Sequence, residues 1–413
     1  MTAYISALGT ATPPHIIPQA DAARFMAEAM ALGPADKRRL QAVYRASGIR
    51  QRYSVLEDYK KPYGYYSFFP NTENLEPFPT TQNRMAVYNT EAPALAAAAS
   101  KKCLEQLPDV ELGDITHLIT VSCTGMQAPG LDISLVQALG LRSSVNRTCV
   151  YFMGCYAAIN GLKLAASICQ ADASSKVLVV SVELCTLHFQ KKHDDDNLLA
   201  NALFGDGAAA VLVEGIRRPG IQLALEQFYC DLALDGLEDM AWHIGDTGFE
   251  MRLSSYIPAF IKGGVEKLLK GLLRKIPHVE KEDPIFAVHP GGRRILEVTE
   301  EALGLERKDN RYSYAVLQEY GNMSSATVLF VLKEIFDEAG LEIPEVFSSS
   351  YMLGKAETNL SPEGNGKAER QGENLHGDIP SAESNSLEGR PIISFAFGPG
   401  LTLESMLLRV VKS

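Results

Sequence analysis

The chain writes the same strand, turn and helix step twice. Cys123 closes one short apolar run and Cys155 the next, 32 residues later; His289 and Asn322 close corresponding runs 33 residues apart in the second half. A repeated βα step of this length folds as two related halves. Where such halves pair in an α/β sheet, the loops at the strand ends converge. That convergence predicts that Cys155, His289 and Asn322 meet although they lie far apart in the chain.

The first half reads as strands over residues 115–121, 150–153, 176–182 and 208–213, with helices over 131–139 and from Cys155 to about residue 168. The near-continuous apolar run at 176–182 predicts a strand covered on both faces. In the second half a strand at 285–288 ends at His289-Pro290-Gly291-Gly292 before a helix at 294–303. Residues 314–317 are expected as a strand leading to Gly321-Asn322, and 326–336 as the helix that follows. The halves are assigned to residues 1–220, carrying the nucleophilic cysteine, and 221–413, carrying the histidine and asparagine. The next strand lies 26 residues beyond Cys155, at Ser181, but 73 beyond Asn322, at Phe395. The excess is assigned to an insert over about 350–388, rich in Gly, Ser, Asn and Glu and expected as a flexible surface loop.

The class is therefore α/β, and 413 residues with 46% hydrophobic content supply one large core or two fused ones. A net charge of −11 argues against nucleic-acid and anionic-membrane partners, and no apolar run is long enough to span a bilayer. Seven cysteines without a CxxC pair, and no basic-then-apolar leader, predict a reducing, cytoplasmic setting without disulfides. His193-Asp194-Asp195-Asp196 reads as a solvated turn, because consecutive residues rarely point to one centre, and no metal site is assigned. Gly205-Asp206-Gly207 precedes a strand instead of opening a helix after one, which excludes a dinucleotide fingerprint.

Cys155 stands where an apolar run breaks at Gly154 and a helix begins. Unpaired N–H groups and the positive dipole end of a first turn favour thiolate over thiol, as a nucleophile requires. His289 is expected to hold that thiolate as an imidazolium partner and, with Asn322, to donate hydrogen bonds to a developing enolate oxygen. The three residue types also occur in thiol hydrolases, where the asparagine orients the histidine. Equivalent positions in the duplicated halves favour two donors aimed at one oxygen instead. The basic cluster Lys37-Arg38-Arg39, Arg45, Arg50 and Arg52 is the candidate site for a phosphorylated ligand.

Taken together, Met153-Gly154-Cys155-Tyr156-Ala157, the run from Ala202 to Ala210, Val288-His289-Pro290-Gly291-Gly292, Glu319-Tyr320-Gly321-Asn322-Met323-Ser324-Ser325-Ala326 and Phe397-Gly398-Pro399-Gly400-Leu401 resemble the type III polyketide synthases, the chalcone and stilbene synthase branch of the thiolase superfamily. The resemblance covers nearly the whole chain outside the insert. It implies a homodimer of five-layered αβαβα thiolase-like subunits, built from two duplicated βα halves, using acyl-CoA and malonyl-CoA without metal or prosthetic group. It implies that Cys155 carries the acyl chain, that His289 and Asn322 promote decarboxylation and stabilise the oxyanion, and that Phe204 is the aromatic gate. Repeated condensation and closure to an aromatic or pyrone product follow from the same resemblance, with Gly398 and Pro399 beside the substrate.

Several positions depart from the plant pattern and point to a microbial enzyme. Met251 replaces a second gating phenylalanine, Trp242 a cavity glycine, Cys185 and His188 cavity threonines, and Ala128 a methionine lent across the dimer. An aldol-promoting network would correspond to Cys123, Glu183 and Ser324, with Cys123 replacing a threonine and bonding more weakly. Arg39 and Arg45 fit a CoA-phosphate site only loosely, because the family spacing is not reproduced. Filling by Trp242 favours an aliphatic or small starter over a hydroxycinnamoyl one. The alternatives are a ketoacyl-synthase-III-like enzyme that condenses once on a carrier protein, a non-catalytic thiolase-fold partner subunit, and, more distantly, a thiol hydrolase.

Overall fold

The computed structural model describes residues 2–413 except 238, 255, 275, 277, 278, 280, 281 and 342–385. Residues 350–385, most of the expected insert, lie outside the described residues. The elements are β1 (Ala3–Ala11), β2 (His15–Pro18), α1 (Gln19–Ala29), α2 (Pro34–Ala46), β3 (Gln51–Ser54), α3 (Thr81–Leu104), β4 (His117–Ser122), α4 (Leu131–Leu139), β5 (Asn146–Tyr151), α5 (Ala157–Ala171), β6 (Lys176–Leu184), α6 (Asp195–Leu203) and β7 (Asp206–Glu214). The second half contributes β8 (Ile221–Leu232), β9 (Met240–Gly245), β10 (Gly248–Leu253), α7 (Ile257–Leu273), β11 (Ile285–Val288), α8 (Arg293–Leu303), α9 (Arg311–Tyr320), α10 (Thr327–Gly340), β12 (Pro391–Gly398) and β13 (Thr402–Lys412).

Nine strands form one mixed sheet in the order β11-β12-β13-β8-β1-β7-β6-β4-β5. Apart from β5, the order is symmetric about the antiparallel β1–β8 pair. In the first half β4 and β6 pair parallel and β6, β7 and β1 antiparallel; in the second β11 and β12 pair parallel and β12, β13 and β8 antiparallel. Cys123 follows β4 and His289 follows its counterpart β11. The Cys123–His289 half of the duplication read from the spacing is thus part of the symmetry of the sheet.

Five layers follow from how strand faces alternate. Along β7, Ala208, Ala210 and Leu212 pack toward α1, α3 and α4, whereas Ala209, Val211 and Val213 pack toward α5 and α10. Along β12, Ile392 and Ala396 face that same central helix layer, and Ile393, Phe395 and Phe397 face α7 and α8. Every residue of β7 and β12 is buried, as strands covered on both faces require. No helix among the described residues is long and apolar enough to cross a membrane.

One expected strand is absent. Residues 314–317 lie inside helix α9, whose buried Tyr312, Ser313, Val316 and Leu317 recur at helical spacing. The four-residue β-like reading was too short to show that period. As a result β11 is the edge of the sheet where β5 is the edge on the other side. Asn322 is positioned without a strand: its N–H bonds the Leu203 carbonyl at 2.9 Å, its carbonyl receives the Gly205 N–H at 2.9 Å, and it forms a parallel bridge with Phe204.

Candidate active site

Cys123, Cys155, His289 and Asn322 line one cavity of about 360 Å³ at the strand ends. Cys155 is carried there by a strained approach. After β5, Phe152 and Gly154 both adopt positive φ, 61° and 89°, and α5 begins at Ala157, with Tyr156 as its N-cap. A Cβ on Gly154 would lie 2.3 Å from Pro399 Cδ, and one on Gly398 would lie 2.5 Å from the Tyr156 ring. Two glycines therefore let the Gly398-Pro399 turn close over the base of the cysteine loop.

Around the thiol, the Ser324 and Asn322 side chains and the Cys155 backbone N–H make hydrogen bonds that favour the thiolate. Burial outweighs them and pushes the Cys155 thiol up to about 11. His289 is buried, neither of its ring nitrogens has a hydrogen-bond partner among the described residues, and desolvation drives it down to about 3. Burial thus works against the expected resting imidazolium–thiolate pair, favouring the neutral form of each group taken singly. The physical reason is that a charge out of water costs more than the available donors return. An imidazole with both nitrogens open is free to serve a substrate oxygen.

Asn322 is oriented by its neighbours. Its Oδ1 accepts the Ser324 N–H at 2.8 Å and the Thr327 hydroxyl at 3.4 Å, which turns Nδ2 toward the Gly291 carbonyl at 3.2 Å and toward Cys155. Ser324 itself sits at φ 48°, a left-handed conformation uncommon for serine. The loops of His289 and Asn322 are thus joined through Gly291, so that both amide and imidazole face one space.

The opposite wall is aromatic. Trp242 on β9 pairs with Met251 on β10, and both line the cavity with Phe204, Cys185, His188 and Phe249. His188 donates from Nε2 to the Thr124 carbonyl at 2.7 Å, accepts the Phe249 N–H at Nδ1 at 2.9 Å, and stacks on the Phe249 ring. Both nitrogens are occupied and burial holds it neutral, down to about 3. It is a fixed wall, not a proton carrier.

Of the expected network, Cys123 and Glu183 meet but Ser324 does not join them. Glu183 accepts from the Cys123 N–H, from the Thr124 hydroxyl at 2.7 Å and from the Ser325 hydroxyl, and burial raises it to about 7. The Cys123 thiol turns instead to Gly154, accepting its N–H at 3.0 Å. The assignment of Ser324 to this network is corrected: with its own φ positive, Ser324 directs its hydroxyl to Cys155 and Ser325 takes the carboxylate. Glu183 is fully buried behind the cavity and does not line it; Pro399 lines it and Gly398 does not.

Two family models match this chain, the N-terminal domain of chalcone and stilbene synthases over residues 1–216 and their C-terminal domain over 224–345. The chain belongs to the chalcone and stilbene synthase family. This type III polyketide synthase is 29% identical to the alpha-pyrone synthesis polyketide synthase-like Pks18 of Mycobacterium tuberculosis, over 99% of this chain and 92% of that protein. It is 32% identical to probable polyketide synthase 1 of Dictyostelium discoideum over 71% of this chain, which amounts to 9% of that much longer protein. Among solved structures it resembles the C-terminal type III polyketide synthase domain of Steely1, a type I/III hybrid from Dictyostelium, with TM-score 0.81, 25% identity and all of both chains covered. PKS-I from the brown alga Ectocarpus siliculosus gives TM-score 0.82 at 26% identity over 99% of this chain and 98% of that one. The fold is thus thiolase-like, and the enzyme is an acyltransferase of the condensing type whose family uses acyl-CoA and malonyl-CoA.

In this synthase Arg39 and Arg45 lie outside the cavity lining; Arg39 is exposed and paired with Asp195. Of the basic cluster only Arg52 lines the cavity, and its guanidinium donates to the Asn201 and Phe204 carbonyls at 2.6 and 2.8 Å. Sequence reasoning missed Phe249, Arg293 and Arg294 as lining residues. The signal for the arginines was present: they follow His289-Pro290-Gly291-Gly292 directly and open α8.

Proposed function

We propose that the protein loads an acyl-CoA starter on Cys155, decarboxylates malonyl-CoA against His289 and Asn322, condenses repeatedly and releases a pyrone or aromatic product. The observation that carries this reading is the meeting of those three side chains in one cavity, with the Asn322 amide facing the thiol and both His289 nitrogens open. Proton transfer from Cys155 to the imidazole at substrate entry would create the thiolate. After acyl transfer, the neutral thioester leaves His289 and Asn322 as two donors for the enolate oxygen of decarboxylating malonyl. No metal or prosthetic group enters this scheme.

Trp242, Met251, Phe249 and His188 crowd the chamber and support an aliphatic or small starter. The name of the relative Pks18 supports pyrone closure. A homodimer is supported by β5, whose outer edge carries no strand among the described residues and leads straight to the Cys155 loop.

Labelled malonyl-CoA and a panel of acyl-CoAs, incubated with wild type and Cys155→Ala and analysed by mass spectrometry, test the reading. Products gaining several two-carbon units in wild type alone are expected. No extension from any CoA substrate, with one extension from carrier-bound malonate, would replace it by the single-condensation alternative.

A further inference from the structure

We infer that Arg84, behind the Cys155 cavity, is a positioning residue that clasps the turn after β6 to the β9–β10 hairpin and so sets the length of starter the cavity accepts. The starter-selecting role rests on the condensing function proposed above. Arg84 lies near the start of α3 and is the largest fully buried side chain among the described residues. Burial lowers it to about 10, which leaves it charged at neutral pH, and no carboxylate offsets that charge. A buried cation without a counter-charge is costly. What this one holds are backbone carbonyls: Nε donates to Pro79 at 3.1 Å, and Nη1 donates to Leu187 and to Phe189, the latter at 3.2 Å. The Phe78 ring covers the guanidinium at 4.8 Å.

The Leu187 and Phe189 carbonyls flank His188. The stem of Arg84 meets the other half of the wall, since a Cβ on Gly248, the residue before Phe249, would lie 2.9 Å from Arg84 Cδ. One side chain therefore brackets the His188–Phe249 pair, which is joined by the 2.9 Å hydrogen bond to Nδ1 and by ring stacking at 4.1 Å. The first residue of α3 grips the same hairpin. The Thr81 hydroxyl accepts the Gly248 N–H at 2.8 Å and donates to the Gly245 carbonyl, and the Thr81 N–H reaches the Asp246 carbonyl at 2.8 Å. Trp242, on the hairpin, meets both His188 and Phe249 edge-on, so its place in the cavity follows theirs. A lysine at position 84 keeps the charge but not the planar fork. Buried carbonyls that lose their donor draw the turn toward another one, and His188 moves with it.

Trp242 is the only tryptophan of the chain, so its fluorescence reports on this wall. The test measures acrylamide quenching of that fluorescence, and kcat/KM for dodecanoyl-CoA relative to hexanoyl-CoA, in wild type, Arg84→Lys and Thr81→Val. Neither Arg84 nor Thr81 lines the cavity, so decarboxylation of malonyl-CoA per folded molecule should stay within about twofold. In Arg84→Lys, quenching should rise by about twofold or more and the starter ratio should shift by about fivefold or more toward the longer chain, because a loosened wall yields volume. Thr81→Val, which removes only the grip on the hairpin turn, should move both in the same direction and decides the matter if Arg84→Lys does not fold. An unchanged starter ratio overturns the inference, including one in which starter use and decarboxylation fall together as a merely structural role requires. A ratio that shifts without the Trp242 signal overturns it as well. A wild type that extends no CoA starter overturns the functional reading instead, and the Trp242 signal then still decides whether Arg84 holds the wall.

Discussion

Trp242 donates its indole Nε1–H to the Cys123 carbonyl at 2.7 Å and so ties the β9–β10 hairpin to the end of β4. The ring meets His188 and Phe249 edge-on, at centroid distances of 5.7 and 5.8 Å. The side chain is therefore both a clasp and a wall.

Trp242→Ala should lengthen the product. Removing the indole enlarges the chamber beside Cys155, and chains with at least one further two-carbon unit are expected by mass spectrometry. Loss of a half-buried ring and one hydrogen bond should also lower stability by about 2 kcal/mol, read as a shift in urea midpoint. An unchanged product length would show that Trp242 does not bound the growing chain.

The Cys155 thiol is the next handle. Hydrogen bonds from Ser324 and Asn322 favour the thiolate against burial. Ser324→Ala removes the larger of these and should raise the thiol further, since the charged form loses its donor. Alkylation by iodoacetamide at pH 8 should then slow by about tenfold, the equivalent of one charged hydrogen bond. Faster alkylation would mean that Ser324 shields the thiol more than it stabilises the thiolate.

Much of this site was legible because its chemistry sits at punctuation in the sequence. Cys155 follows Gly154, His289 precedes Pro290-Gly291-Gly292, and Asn322 follows Gly321, each at the close of an apolar run. Of the two correspondences read from the equal spacing, Cys123 with His289 follows the symmetry of the sheet, whereas Asn322 follows helix α9 and not a counterpart of β5. Side-chain direction was less legible. Nothing in Asn322-Met323-Ser324-Ser325 distinguishes which serine faces Cys155 and which faces Glu183; the positive φ of Ser324 decides it, and serine does not advertise that conformation. The balance between burial and hydrogen bonding at Cys155 was hidden for the same reason, since desolvation depends on every element packed around a residue. Helix α9 was misread because four apolar-rich residues fit either period.

Glu183 makes stability depend on pH in a direction opposite to that of an ordinary surface carboxylate. Burial raises it to about 7 from 4.5, so between those values the folded state keeps a proton that the unfolded state has lost. Its contribution is full below about pH 4.5 and falls as pH rises toward 7, by on the order of 3 kcal/mol. Glu183→Gln removes the titration. The urea midpoint of wild type relative to this variant should therefore decline from pH 5 to pH 8. A relative midpoint that stays level or rises would mean that the hydrogen bonds from Cys123, Thr124 and Ser325 keep Glu183 charged in the fold.

Gly154 concentrates the geometry of the nucleophile. Its φ of 89° is open to glycine and strained for alanine, and the added methyl would lie 2.3 Å from Pro399 Cδ. Neither neighbour yields easily: Pro399 is a ring in the turn between β12 and β13, and the Gly154 N–H is held by the Cys123 thiol at 3.0 Å. Gly154→Ala should therefore cost about 3 kcal/mol or more, combining left-handed strain with overpacking. Because the strain falls one residue before Cys155, activity should drop further than the folded fraction does. Unfolding curves and turnover per folded molecule, measured on the same preparation, separate the two effects. A stable variant with full turnover would show that the loop can reach the same cysteine position by another path.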